Sequence, residues 1–213
     1  MSVEHYLVPA GEGVAEIEVK RSRFRALVVR VEDEDAARAV VERSRRVHWD
    51  ARHHCSAFVI GPDARLQRSS DDGEPAGTAG APMLEVLRGR GVCDVVVVVT
   101  RWFGGVLLGA GGLVRAYADA VRAGLDDAGT LTRQRVWEQL LILDHAEAGR
   151  VEGELRQRGF HVLDAAYADR VTLRLGTPAA RLGELGAMVA ELTAGSAAPV
   201  DLAQSWVDVS AST

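Results

Sequence analysis

The chain has 213 residues, 47% hydrophobic and 26% charged, with a formal net charge of −5. That length suits one large domain or two small ones, and the charge argues against coating nucleic acid through a global positive field, though a local basic patch is allowed. No apolar run approaches the roughly 18–20 residues of a membrane span, residues 1–10 lack the basic and apolar regions of a secretory signal, and Cys55 and Cys93 are too few for a disulfide scaffold, so a cytoplasmic protein with reduced thiols and no membrane partner is expected.

Residues 14–31 alternate polar and apolar side chains, with Val14, Ile17 and Val19 followed by Phe24, Ala26, Val28, Val29 and Val31, which predicts a strand pair. The acidic stretch 32–35 then precedes Ala36, Ala37, Val40 and Val41 at helical spacing, predicting a helix to about Arg46 whose start its carboxylates favour. A strand is expected from Cys55 to Ile60, closed by Gly61-Pro62-Asp63, with 65–68 as a short continuation. Ser69-Ser70-Asp71-Asp72-Gly73-Glu74-Pro75 is a run of turn formers and reads as a loop. Pro82 to Leu87 reads as a helix ended by Gly89 and Gly91. Five consecutive valines, Val95 to Val99, predict a central strand buried on both faces. A glycine-rich loop from Gly104 to Gly112 leads into a helix from Leu113 to Leu125, with Leu113, Ala116, Tyr117, Ala120, Val121 and Leu125 on one face.

The polar stretch 126–135 is the expected boundary between domains at 1–130 and 131–213. Beyond it come a strand at 136–143, a helix at 146–158, strands at 160–166 and 170–175, a helix at 178–192 and a strand at 200–209. The order βαββαβ is that of the ferredoxin-like sandwich, and the whole chain reads as α+β. This half carries no metal or catalytic motif, which suits docking or bracing.

Chemistry concentrates around the glycine-rich loop. Gly104, Gly105, Gly109, Gly111 and Gly112 lack Cβ atoms, so the backbone can approach a ligand and aim several N–H groups at one point. A helix start just beyond adds partial positive charge, Arg101 and Arg115 flank it with full charges, and Trp102 or Phe103 offers a face for a base. A phosphate or other anion fits, as does the plainer reading that the glycines pack sheet against helix. No Lys-Ser/Thr follows the glycines, which disfavours a nucleoside triphosphatase. A second constellation is Ser69, Ser70, Asp71, Asp72, Glu74 and Thr78. Its carboxylates suit Mg²⁺, Ca²⁺ or acid–base work, or the side chains cap a turn by bonding local amides. His53, His54 and Cys55 are consecutive, so on a strand they alternate faces and at most two meet one metal. His53 and His54 stay candidates beside the acidic turn, Cys55 reads as a buried thiol, and no catalytic residue, metal or cofactor is assigned.

In order, Ser22-Arg23-Phe24, His53-His54-Cys55-Ser56-Ala57-Phe58, the turn from Ser69 to Pro75 with Gly77-Thr78-Ala79-Gly80, and the Arg101 to Tyr117 segment resemble the IMPACT/YigZ family. The resemblance runs from about Lys20 to Leu125, and the tail is similar to the small C-terminal domain of the family's bacterial branch. It implies an N-terminal domain of the ribosomal-protein and elongation-factor type, akin to domain IV of elongation factor G, with a left-handed βαβ crossover. It also implies an RNA- or ribosome-associated role linked to translation regulation, and the expected function is a noncatalytic binding module in which the glycine-rich loop, Arg101 and Arg115 hold phosphates of RNA. Eukaryotic members restrain a starvation-responsive kinase through an extra N-terminal domain, for which residues before 20 leave no room. Leu107 stands where relatives commonly carry lysine, Ala76 replaces a usual serine, and Trp102 stands where tyrosine is common. The alternative is an enzyme on a phosphorylated or anionic small molecule, with Asp71, Asp72 or Glu74 as metal ligand or base.

Overall fold

The structure is a computed structural model and describes residues 3–209. It is a mixed α+β chain with two antiparallel sheets and, among the described residues, five α-helices. The chain divides into a first unit ending at Thr132 and a second spanning Arg133–Val209. None of the described helices is long and apolar enough to cross a membrane.

In the first unit a short strand β1 (His5–Pro9), with no clear sequence signal, precedes β2 (Gly13–Val19) and β3 (Ser22–Arg30). These two form the expected hairpin. Its turn residues, Lys20 and Arg21, both have positive φ (47° and 65°), the mirror-image turn geometry that matches strand twist. Helix α1 (Glu34–Val47) starts where the carboxylates favour it, and Asp33 caps it by accepting from the Ala36 N–H at 2.7 Å. Then come β4 (His53–Ile60), β5 (Leu66–Ser70), α2 (Gly80–Arg90), β6 (Val95–Trp102) and α3 (Ala110–Ala128). The sheet order is β2-β3-β6-β4-β5, antiparallel throughout.

Central β6 explains the valine run, since Val95 to Val99 are all fully buried, alternately toward two helical layers. On one side α1 covers a core including Leu27, Val40, Phe58, Val96 and Val98. On the other, α3 packs on β2 and β3, and α2 lies beside α3 against β4 and β5.

Three expectations are corrected here. Ser69 and Ser70 are strand, paired with Ala57 and Ser56, because a buried partner strand overrides the turn preference of an exposed edge. Gly111 and Gly112 belong to the first turn of α3, since Gly109 (φ 73°) ends the loop. Helix α2 likewise starts two residues before Pro82, where a missing N–H costs no intrahelical bond.

The second unit contains all but the first three residues of β7 (Thr130–Leu143), then α4 (His145–Gln157), β8 (His161–Tyr167), β9 (Val171–Thr177), a 3-10 turn Ala179–Arg181, α5 (Leu182–Leu192) and β10 (Val200–Val209). Strand β9 lies between β7 and β8, and β10 pairs with β7. Leu141, Leu143, Leu155, Phe160, Leu173 and Leu185 belong to its core.

Candidate functional site

Strand register assembles the site. Phe24, Arg101 and His53 stand opposite one another on β3, β6 and β4, on the face that α3 covers, and Cys55 follows on that face. Arg23, Trp102, Thr100 and His54 alternate to the α1 face.

Arg101 is buried, 6% exposed. Its Nη1 donates to Glu74 Oε1 at 2.6 Å, an ion pair whose side chains are 7% and 3% exposed. The Tyr117 hydroxyl donates to the same carboxylate oxygen at 2.8 Å. Ser22 Oγ accepts from Arg101 Nη2 at 3.4 Å and from the Gly104 N–H at 3.2 Å, tying the hairpin to the glycine-rich loop. Phe24 meets Tyr117 edge-on at 5.2 Å and lies 5.4 Å from the Arg101 guanidinium carbon. The Nε of Arg101 is buried with no hydrogen-bond partner. The Cys55 thiol lies between the Asp71 carbonyl (3.0 Å) and the Tyr117 hydroxyl (3.3 Å). Burial pushes its pKa up to about 12 and raises that of Tyr117, so both stay protonated at neutral pH.

The acidic turn is built as a cap. Asp71 accepts from the N–H groups of Gly77 (2.8 Å), Ala79 (3.0 Å) and Gly80 (2.8 Å), closing the loop onto the start of α2. Burial opposes its charge, but the three amides outweigh it and hold its carboxyl below the usual range. Asp72, at φ 43°, accepts from Arg45 Nη2 at 2.7 Å and from the His54 N–H at 2.6 Å. Its carbonyl accepts from His53 Nδ1 at 2.9 Å, which fixes the proton on that nitrogen. The Thr78 hydroxyl donates to the Pro75 carbonyl at 2.7 Å, and Ser70 Oγ accepts from the Asp72 N–H at 3.3 Å, while Ser69 is exposed. His54, buried on the other face, contacts Thr100 Oγ1 at 3.2 Å, and burial lowers its pKa. Among the described residues no group of three His, Cys, Asp or Glu side chains is placed to hold a metal ion.

Asp71 carries a pH prediction. Its folded pKa lies below the unfolded value of about 3.9, so its stabilisation is full above that value and fades as pH falls through the folded pKa. Asp71→Asn should therefore lower the urea midpoint at pH 7, with the gap to wild type shrinking below about pH 4. A gap independent of pH would contradict this role.

Above the Arg101–Glu74 pair lies a half-open cavity of about 370 Å³, lined by Arg52, His53, Glu74, Arg101, Phe103 and the start of α3 at Gly109 and Ala110. No side chain caps that helix start. Arg52 has no acidic partner among the described residues. Phe103 is 45% exposed and Leu107 82% exposed at the rim.

Of the expected glycines only Gly109 lines the cavity, Gly104, Gly105, Gly111 and Gly112 do not, and two expected side chains are elsewhere. Arg115 is exposed and does not line the cavity, because two residues past buried Leu113 the helix has turned about 200°. Trp102 lies on the α1 face, where Asp50 accepts from its Nε1 at 2.9 Å, Arg23 covers its ring at 4.0 Å and His48 meets it at 5.3 Å. Strand alternation separates it from Arg101. Arg52 is the cation sequence reasoning missed. Its one signal is its place just before His53, which pairs with Arg101.

The fold and site define a two-unit α+β protein whose first unit carries the ordered motifs around one buried ion pair. A family model, the Impact N-terminal domain, matches residues 20–125, and a domain of unknown function (DUF1949) matches residues 141–196. IMPACT family member YigZ of Escherichia coli (strain K12) is 41% identical over 91% of this chain and 96% of its own length. IMPACT family member YvyE of Bacillus subtilis (strain 168) is 38% identical over 89% of this chain and 88% of its own. Protein IMPACT of Rattus norvegicus is 36% identical over 48% of this chain and 33% of its own length. A crystal structure of a hypothetical protein matches at TM-score 0.63 and 38% identity, covering 95% of this chain and 99% of that one. The chain belongs to the IMPACT family.

Proposed function

We propose that the first unit is a noncatalytic binding module that holds RNA of the translation machinery in the cytoplasm by seating one phosphate in the cavity above Arg101 and Glu74. The observation that carries this reading is the buried, unpartnered Nε of Arg101 in the wall of a cavity that also holds Arg52 and the uncapped start of α3. Glu74 neutralises Arg101, so the attractive charge comes from Arg52 and the helix start. That favours a local anion site over an extended groove, with Phe103 free to stack on a neighbouring base. Kinship with Protein IMPACT homologues supports a regulatory role. The first unit's sheet and its helical layers support kinship with domain IV of elongation factor G, and the βαββαβ order of the second supports a ferredoxin-like sandwich. The enzyme alternative is weakened because Asp71 and Asp72 are engaged by backbone amides and Arg45, and Glu74 by Arg101 and Tyr117.

The test is anisotropy titration of labelled single-stranded and hairpin RNA at two salt concentrations. Saturable binding that weakens with salt is expected, with Arg52→Ala costing about tenfold, as loss of one charge-assisted contact does. Absence of saturable binding, or a constant unchanged by Arg52→Ala, overturns the proposal.

A further inference from the structure

The opposite face of the same sheet carries a second concavity that the reading above does not use. A cavity of about 190 Å³ lies between α1 and strand β3, lined by Glu12, Arg25, Leu27, Arg43, Ser44 and His48, with Val47 at its edge. Pockets for whole small molecules run from about 300 Å³ upward, so this one suits a group of a few atoms. Ser44 is 3% exposed and its hydroxyl has no hydrogen-bond partner, although a helical serine usually finds one on the preceding turn. Arg25, half-buried on β3, has no acidic partner among the described residues. Arg43 is tied to Glu12 at 3.0 Å, both about half exposed.

We propose that this cavity binds a phosphate group, with the Arg25 guanidinium and the Ser44 hydroxyl as its inner donors, Arg43 at the mouth and His48 beside it. A planar guanidinium offers paired donors suited to two oxygens of a phosphate, and the serine hydroxyl gains the acceptor that the fold denies it. Burial, and after it the charge of Arg25, hold the His48 pKa below its usual value, while Asp50 and Glu16 act in the opposite sense. Glu12 is the opposing charge, and its bond to Arg43 keeps it on the rim. The group is either free phosphate or the terminal phosphate of a nucleic acid strand. The site lies on the α1 face and stands or falls independently of the Arg52 cavity.

The full chain is titrated with inorganic phosphate and, separately, with one single-stranded RNA bearing either a 5′-phosphate or a 5′-hydroxyl. Tryptophan fluorescence reports, because the His48 ring lies 5.3 Å from Trp102. Saturation by inorganic phosphate, weakened about tenfold in Arg25→Gln and severalfold in Ser44→Ala, supports the site, and Arg52→Ala should leave it unchanged. A preference for 5′-phosphorylated RNA that Arg25→Gln abolishes assigns it to strand ends, whereas equal affinity for the two RNAs assigns it to the free ion. Ser44→Ala should fold at least as stably as wild type, since its hydroxyl bonds nothing in the protein. Failure of both phosphate and 5′-phosphorylated RNA to saturate, or constants unchanged in both variants, overturns the proposal.

Discussion

Glu74→Ala should lower folding stability by about 3–5 kcal/mol, read as a large fall in the urea midpoint at unchanged slope. The carboxylate is 3% exposed and takes one bond from Arg101 and one from Tyr117. Its removal leaves a guanidinium that is 7% exposed with no counter-charge, and the Ser22 hydroxyl at 3.4 Å cannot replace it. It also takes the acceptor from the Tyr117 hydroxyl proton on a fully buried ring, leaving that hydroxyl only the Cys55 thiol as a contact. The pair itself is not a large source of stability, because desolvating two charges offsets most of their attraction. The double variant Arg101→Met with Glu74→Leu should therefore recover most of the loss, and by removing the Arg101 Nε donor it should weaken the proposed anion binding without abolishing it. A midpoint that barely moves in Glu74→Ala would mean water reaches the guanidinium. Equal losses in the single and double variants would mean the damage is to packing.

Local chemistry made much of the fold readable. The carboxylates at 32–35 do start α1, the five valines form a strand buried on both faces, and β10 spans the residues its alternation implies. What escaped depends on partners distant in sequence. Residues 65–68 read as a short continuation of the strand, but nothing in Ser69 and Ser70 signals one, because their pairing comes from β4. Arg101 and Arg115 look symmetric about the glycines, but one is drawn inward by Glu74, 27 residues away, and the other turns to solvent. Trp102 could have been assigned to its face by parity alone, since it follows Arg101 on one strand. Arg52 could not, because its value lies in the absence of a partner, which only a folded arrangement reveals.

The glycines of the loop are separable by one comparison, which decides between packing and ligand binding. A Cβ on Gly104 would lie 2.0 Å from the carbonyl carbon and oxygen of Arg21 and 2.5 Å from the Ser22 nitrogen. Those atoms belong to the hairpin turn that already holds two positive φ angles, so they cannot yield cheaply. Gly104→Ala should cost about 3 kcal/mol, the upper end of overpacking penalties, and release the Ser22 link between hairpin and loop. A Cβ on Gly111 meets nothing within 4 Å and lies in the first turn of α3, so Gly111→Ala should raise stability by up to about 1 kcal/mol. The protein has no packing need for glycine at 111. If glycine at 111 serves the close approach of an RNA backbone, the added methyl should weaken RNA binding in a protein that is as stable as wild type or more so. If RNA affinity is unchanged in Gly111→Ala, glycine at 111 is not required for binding, and the contact rests on the residues that line the cavity, Arg52, Phe103 and the helix start at Gly109 and Ala110.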